Sequence, residues 1–155
     1  MVPGLSDFGN KPEDVHLQLD PLLAFAKKAL AGQEGRFKDF PIYLKATAGM
    51  RELPLGESDA VMAAVRAYLG DKKKNPFMFN DVEKARILSG EEEGAYGWIA
   101  INYLKGALKD DINKGAAGGE GGVAAASVTY GAVEMGGAST QISFFKTKQN
   151  IVADL

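Results

Sequence analysis

Five residues near the carboxyl-terminal end of the sequence have the types and spacing to handle a charged phosphate. Gly136 and Gly137 are adjacent, and because neither carries a Cβ atom, successive backbone N–H groups can face an anion. Glu134 enters this turn as a carboxylate, and Ser139 and Gln141 leave it as a hydroxyl and an amide. Acceptors for a hydrated cation therefore lie beside donors for a phosphate.

The residues around this turn predict a β-hairpin. Alternating apolar positions on either side of the two glycines indicate a largely buried first strand and a second extended segment; they are Val128, Tyr130, Ala132, Val133, Ile142, Phe144 and Phe145. An ordinary Gly-Gly hairpin with polar residues at its tip is the alternative interpretation of the same pattern.

A second group of candidate residues opens a predicted helix over residues 90–104. Apolar and aromatic residues recur there at helical spacing, and three consecutive carboxylates, Glu91, Glu92 and Glu93, occupy the first turn. Offsetting the helix dipole explains Glu91 and Glu92. Glu93 precedes Gly94 and is better placed to point into a cleft, where a carboxylate can act as general base toward a water.

The third candidate is Thr47, at the end of a predicted strand over Phe40–Thr47 that runs into the small-residue turn Ala48–Arg51. Open α/β sheets bind their ligands at the carboxyl ends of strands. Thr47 is therefore expected at a ligand-binding edge.

The remaining elements are expected to position these residues. A helix is predicted from Pro12 to about Ala31, either kinked at Pro21 or restarted there. Ser58-Asp59 is expected to cap a second helix that ends at Gly70, and Ala85–Ser89 is a candidate buried strand. The apolar stripe of the second helix consists of Val61, Met62, Val65, Tyr68 and Leu69.

Composition narrows the class of protein. With 155 residues, 46% of them hydrophobic and 25% charged, the chain can bury one sizeable core. A net charge of −2 without a basic, aromatic-rich stripe argues against a nucleic-acid surface, and no apolar run is long enough to span a membrane. The absence of cysteine and the single histidine exclude cysteine-based and multi-histidine metal sites.

The amino-acid composition changes after the predicted helix over residues 90–104. From about residue 106 to residue 127 the sequence consists largely of glycine and alanine with a few charges. This composition predicts a flexible excursion before the hairpin.

Three segments, in fixed order, resemble the second, third and fourth conserved regions of the apyrases, the nucleoside triphosphate diphosphohydrolases of the GDA1/CD39 family. They are Lys45–Arg51, Ser89–Ile99 and Glu134–Gln141. The resemblance covers nearly the whole chain. Three long motifs in one order are far more specific than any one of them alone.

The resemblance implies an α/β fold, namely a ribonuclease-H-like (actin/hexokinase-like) lobe with a mixed sheet flanked by helices. Residues 1–155 would form an incomplete first lobe, with the second lobe absent. The implied substrates are nucleoside tri- and diphosphates, and the implied cofactor is Ca2+ or Mg2+ held largely through waters. The family's location further suggests the secretory pathway, in a lumen or outside the cell.

The resemblance also implies residue roles. Glu93 matches the catalytic base, and Ser139 and Gln141 match residues that position the attacking water. The phosphate-binding turn corresponds to Gly136, Gly137, Ala138 and Ser139. Thr47 and Glu134 match contacts to the hydration shell of the metal.

The sequence departs from the family pattern in two respects. The family has Asp where this chain has Glu134, one methylene longer, and hard cations are sensitive to carboxylate placement. The first conserved region, a phosphate loop, and the fifth region are not in this sequence. We therefore expect little hydrolysis by this chain alone, whether it is a segment that another lobe or chain completes or a shortened relative.

Two other functions compete with that of a hydrolase lobe. One is a non-catalytic structural or interaction protein derived from this fold. The other is a sugar-kinase or chaperone-type ATPase, which would share the glycine turn but not the Ser89–Ile99 segment. The hydrolase hypothesis expects the turns at Thr47, Glu93 and Gly136 to converge on one side of a single sheet.

Overall fold

The computed structural model describes residues 4–108 and 129–145. Its contacts divide the chain into two compact units, one up to Leu88 and one from Ser89 onward. Both units combine helices with short strands, so the expected mixture of α and β structure is confirmed. No helix within the described ranges is both long and apolar enough to cross a membrane.

The first unit is a strand–helix–strand arrangement preceded by one α-helix and three short 3-10 turns. Helix α1 spans His16–Ala29, strand β1 Leu44–Ala46, the single turn α2 Ala48–Arg51, helix α3 Leu55–Gly70 and strand β2 Ala85–Ile87. Short 3-10 turns cover Leu5–Phe8, Pro12–Val15, Glu34–Asp39 and Val82–Lys84. Strands β1 and β2 pair in parallel, with Leu44 opposite Ala85 and Ala46 opposite Ile87.

Helix α3 supplies the largest share of the core of this unit, five of the fourteen residues in the buried cluster. Its predicted stripe is confirmed, because all five residues are at most 6% exposed. These residues pack with others from the first helical segments and from both strands; the buried cluster contains Phe8, Val15, Leu19, Leu23, Phe37, Ala46, Met50, Val61, Met62, Val65, Tyr68, Leu69, Phe77 and Ala85.

Of the two alternatives at Pro21, the restart is wrong, because helix α1 continues through this residue. Two further local predictions for the first unit are also wrong. Helix α3 starts at Leu55 with Pro54 as its N-cap, and the hydroxyl of Ser58 donates to the carbonyl of Leu55 inside the helix. The pattern predicts a strand over Phe40–Thr47, but the ladder with β2 contains only Leu44–Ala46. Pro41 forms an isolated parallel bridge with Met78 instead.

The second unit combines one helix with one hairpin. Helix α4 spans Gly90–Leu104, and strands β3, Ala132–Met135, and β4, Thr140–Ser143, pair antiparallel. Both strands pack against α4. The glycine- and alanine-rich segment predicted over 106–127 lies outside the described residues from 109 onward.

In the parts of the chain that the structure describes, β1–β2 and β3–β4 each form a two-stranded sheet within their own unit. That both belong to one mixed sheet flanked by helices stays a prediction, because an alternating pattern identifies a strand but not its partner. The assignment of residues 1–155 to a partial first lobe stays a prediction.

A hydrogen bond links the first and third helices of the first unit. The Tyr68 hydroxyl donates to Oδ1 of Asp20, and burial, followed by this bond, raises the pKa of Tyr68 to about 12 from its ordinary 10.0. A folded-state pKa above the unfolded value means that the fold favours the neutral phenol, through burial first and this bond second. The resulting stability is fully present below pH 10 and is lost as the pH rises through 12.

Replacing Tyr68 by Phe is therefore expected to lower the free energy of unfolding by about 1 kcal/mol at neutral pH. Urea denaturation of both proteins at pH 8 and above pH 10 measures this. The deficit of the Tyr68→Phe protein should shrink above pH 10, because only the wild type must deprotonate the phenol on unfolding. An unchanged deficit would show that the hydroxyl bond is not its source.

Candidate active site

Helix α4 begins with a reciprocal cap that fixes its first turn. The Ser89 hydroxyl accepts the N–H of Glu92 at 3.2 Å, and the Glu92 carboxylate accepts the N–H of Ser89 at 3.1 Å. This capping box satisfies two N–H groups that would otherwise have no helical partner. Glu92 therefore has the helix-start role that its position predicts, and Glu93 follows it, half-buried, in the same turn.

The hairpin presents a polar face to α4. Along β3 and β4 the less exposed residues are Ala132, Glu134, Gln141 and Ser143, and register places Glu134 opposite Gln141. The outward residues are apolar: Val133 is 70% exposed, Met135 80% and Ile142 71%. Of the residues predicted to form a buried strand, Ala132 is buried as expected, whereas Tyr130 and Val133 are exposed because the side of the hairpin that faces α4 carries the polar residues. Val128 lies outside the described residues.

Gln141 lies along the first two turns of α4. A Cβ atom built on Gly94 would lie 3.3 Å from Cβ of Gln141, and one built on Gly90 would lie 4.0 Å from its Nε2. Glu93 stands between these two glycines in the chain. The structure thus places the helix turn that carries Glu93 beside the strand that carries Gln141.

The tip of the hairpin is closed by its own polar groups. The N–H of Gly136 donates to the carbonyl of Ser139 at 2.9 Å, and Nε2 of Gln141 donates to Oγ of Ser139 at 2.9 Å. Ser139 and Gln141, expected to act together, are therefore in direct contact. Ala138 is exposed at the tip.

Neither glycine of the turn is required by backbone conformation or by crowding. The described glycines with positive φ are Gly32 and Gly106, not Gly136 or Gly137. A Cβ on Gly137 would meet no atom within 4 Å, and one on Gly136 would meet only ordinary contacts at 3.5 and 3.8 Å. Their lack of side chains leaves the backbone of the turn open to a ligand.

Two buried oxygen atoms on the polar face have no hydrogen-bond partner within the described part of the chain. They are Oε2 of Glu134 and Oε1 of Gln141, which belong to directly opposed residues. Leaving such an acceptor unsatisfied costs about 1–3 kcal/mol. Water molecules around a hard cation are donors of the kind these atoms need, so the pair fits a hydrated Ca2+ or Mg2+.

No direct metal cage stands beside this pair. Within residues 4–108 and 129–145, no three Asp, Glu, His or Cys side chains come together around a common point. A cation at the hairpin would therefore be held by few protein oxygens.

Thr47 lies in the first unit, directly after β1 and at the start of α2. It is exposed and lines a cavity of about 230 Å³ together with Ser6 and Gly49. Arg51, from the same turn, donates to the carbonyl of Leu88 at 2.7 Å. That Thr47 shares a site with Glu93 and Gly136 stays a prediction.

Sequence reasoning missed Asn102. Its side chain is fully buried and bonded to the backbone of Tyr130. An amide at a helix position that otherwise requires an apolar residue was the available signal.

Position 94 requires glycine because neighbouring atoms leave no room for a side chain, and not because of its backbone conformation. A Cβ there would lie 2.7 Å from Oγ of Ser143, closer than non-bonded atoms approach. The same atom built on Gly97 of the same helix would meet nothing within 4 Å. The two positions form a matched pair.

Gly97→Ala is expected to stabilise the second unit by up to about 1 kcal/mol through helix propensity. Gly94→Ala is expected to lose that gain, or to destabilise by about 1–3 kcal/mol, because the methyl group displaces the hairpin. Urea unfolding followed by the fluorescence of Trp98, the single tryptophan, measures both. Equal stabilisation by the two changes would contradict close packing at Gly94.

Comparisons with known proteins agree with the resemblance. Residues 1–154 match the family model described as GDA1/CD39 (nucleoside phosphatase) family. The chain is 37% identical to ectonucleoside triphosphate diphosphohydrolase 1 of Bos taurus, over 92% of this chain and 26% of that protein. It is 40% identical to ectonucleoside triphosphate diphosphohydrolase 2 of Gallus gallus, over 92% and 26%.

A third relative is the Golgi apyrase of Saccharomyces cerevisiae, 35% identical over 92% of this chain and 21% of that protein. The chain therefore spans about a quarter of the length of these relatives.

Proposed function

Because the chain belongs to the GDA1/CD39 (nucleoside phosphatase) family, we propose that it carries part of the active site of a nucleoside tri- and diphosphate hydrolase. The observation that supports this most strongly is the polar face of the hairpin. Glu134 and Gln141 offer buried acceptors without partners in the described residues, beside a glycine turn whose backbone is open. The fold that we propose is the actin-like lobe that the family implies.

In the proposed reaction, a water molecule attacks the terminal phosphorus of the nucleotide. The Glu93 carboxylate accepts a proton from this water as its oxygen bonds to phosphorus. The bond from phosphorus to the bridging oxygen breaks, and the products are inorganic phosphate and a nucleotide shortened by one phosphate. Gln141 and Ser139 orient the attacking water, since their side chains already contact each other.

Backbone N–H groups of Gly137 and Ala138, with the Ser139 hydroxyl, would face the phosphate. Gly136, whose own N–H donates to the carbonyl of Ser139, would let the phosphate approach because it has no side chain. Glu134 and Thr47 would hold waters of a bound Ca2+ or Mg2+. When bound, such an ion offsets the negative charge of the phosphate oxygens. The relatives named for the Golgi and for the ecto-enzymes lead us to propose a lumenal or extracellular location for the parent protein.

The isolated chain is expected to release negligible phosphate from ATP or ADP with either Ca2+ or Mg2+. The physical reason is that this sequence contains no first phosphate loop and no second wall for the cleft. A phosphate-release assay measures it. Turnover near that of a complete family member would contradict the partial-site proposal.

The base role of Glu93 is tested in a hybrid. Residues 89–145 replace the matching segment of the Gallus gallus relative, and Glu93→Gln is then introduced. We expect turnover to fall about 10²–10⁴-fold, the usual contribution of a general base, while nucleotide affinity is retained because the amide preserves shape. Phosphate release from ATP, stopped at set times, measures turnover. Equilibrium binding measures nucleotide affinity.

Glu91→Gln in the same hybrid is the matched control, since Glu91 is a carboxylate of the same helical turn. It is expected to leave turnover unchanged. If Glu93→Gln retains full turnover, or if Glu91→Gln loses as much, Glu93 is not the base.

One observation favours the second candidate function, a non-catalytic interaction protein. The outward face of the hairpin exposes Val133, Met135 and Ile142, and exposed apolar patches often mark protein contacts. A hybrid with Glu93 intact that folds, binds no nucleotide and turns over none would favour this alternative.

A further inference from the structure

Asn102 is one of the few polar side chains that the described residues bury. The others are Ser58 and Asn75, and Asn102 has an exposure of 0%. It lies in the last turns of α4. A buried carboxamide must have its donors and acceptor satisfied, or its burial is costly.

Within residues 4–108 and 129–145, the hydrogen bonds of this side chain all go to backbone. Oδ1 of Asn102 accepts the N–H of Tyr130 at 2.7 Å, and Nδ2 donates to the carbonyl of Tyr130 at 2.9 Å. Nδ2 also donates to the carbonyl of Trp98, one turn earlier in the helix, at 2.9 Å. The carboxamide therefore pairs with Tyr130 as a neighbouring strand would, exchanging one donor and one acceptor.

Tyr130 lies two residues before β3 begins. Fixing Tyr130 therefore also fixes the start of β3. Strand pairing extends this effect toward the hairpin tip, because Ala132 pairs with Ser143 and Glu134 with Gln141. At the other end of α4, Ser143 and Gln141 lie against Gly94. The hairpin is thus fixed to the helix by hydrogen bonds at one end and by close packing at the other.

We propose that Asn102 is a positioning residue that holds Glu134 and Gln141 against the first turn of α4. It acts through the hairpin and touches no reacting atom. The inference rests on the proposed function only for the roles of Glu134 and Gln141. The hydrogen bonds between the Asn102 side chain and the backbone of Tyr130, called the clamp below, belong to the second unit whatever its function.

The test uses the 155-residue chain and the side-chain amide signal of Gln141 in nitrogen-15 NMR spectra. In Asn102→Ala the clamp is lost and Tyr130 keeps an unpaired N–H. We expect the Gln141 amide protons to exchange with water about tenfold faster than in the wild type at the same pH, as loss of a buried bond implies.

Asn102→Asp keeps the shape of the side chain and makes the clamp depend on protonation. A protonated carboxyl can accept from the Tyr130 N–H and donate to the Tyr130 carbonyl, whereas an ionised one can only accept and would face two carbonyls. The quantity compared is the exchange rate of the Gln141 amide protons in Asn102→Asp divided by the rate in the wild type at the same pH. We expect this ratio to approach one at low pH and to rise about tenfold as the carboxyl ionises. The wild type serves as reference for the titration of every other group.

Asn75→Ala is the matched control, because Asn75 is also fully buried and bonds to backbone at Leu69 and Phe77 of the first unit. It is expected to leave Gln141 exchange unchanged. The proposal is overturned if Asn102→Ala leaves exchange unchanged, if Asn75→Ala raises it equally, or if Asn102→Asp shows no pH dependence. A failed hydrolysis experiment would leave these outcomes intact, so the two failures are distinguishable.

Discussion

Close approach at Gly94 is the constraint on which the arrangement of the candidate site depends. Ser143 and Gln141 occupy the space that a side chain at position 94 would fill. A larger residue there would move β4, and with it Gln141 and its partner Glu134. Gly90 lies one helical turn before Gly94 and is also close to Gln141, whose Nε2 would be 4.0 Å from a Cβ atom at position 90. Gln141 therefore lies beside the turn that contains Glu93.

The hairpin reverses the usual orientation of a two-layer structure. An isolated hairpin is marginal in water, and normally its apolar face would supply the support. Here Val133, Met135 and Ile142 face outward, while Glu134 and Gln141 face the helix. Burial of these polar groups is unfavourable for stability, which is what a site selected for ligand chemistry would show.

Sequence reasoning predicted the local features that depend on neighbouring residues. The first turn of α4 at Glu91–Glu93 and the hairpin around Gly136 and Gly137 follow from helical periodicity and turn chemistry. The prediction failed where the outcome depends on distant partners, as it does for the face of β3 that is buried. Asn102 was missed for the same reason, since its partner Tyr130 is 28 positions away.

A cation and phosphate site at the hairpin tip is the feature on which the proposed function depends most. Mn2+, a paramagnetic substitute for Mg2+, broadens NMR signals close to where it binds, so titration of the isolated chain locates the site directly. We expect the signals of Gly136, Gly137, Ser139 and Gln141 to broaden at the lowest Mn2+ concentrations. Broadening that begins at surface carboxylates such as Asp81 and Glu83, with the hairpin signals still sharp, would contradict the account.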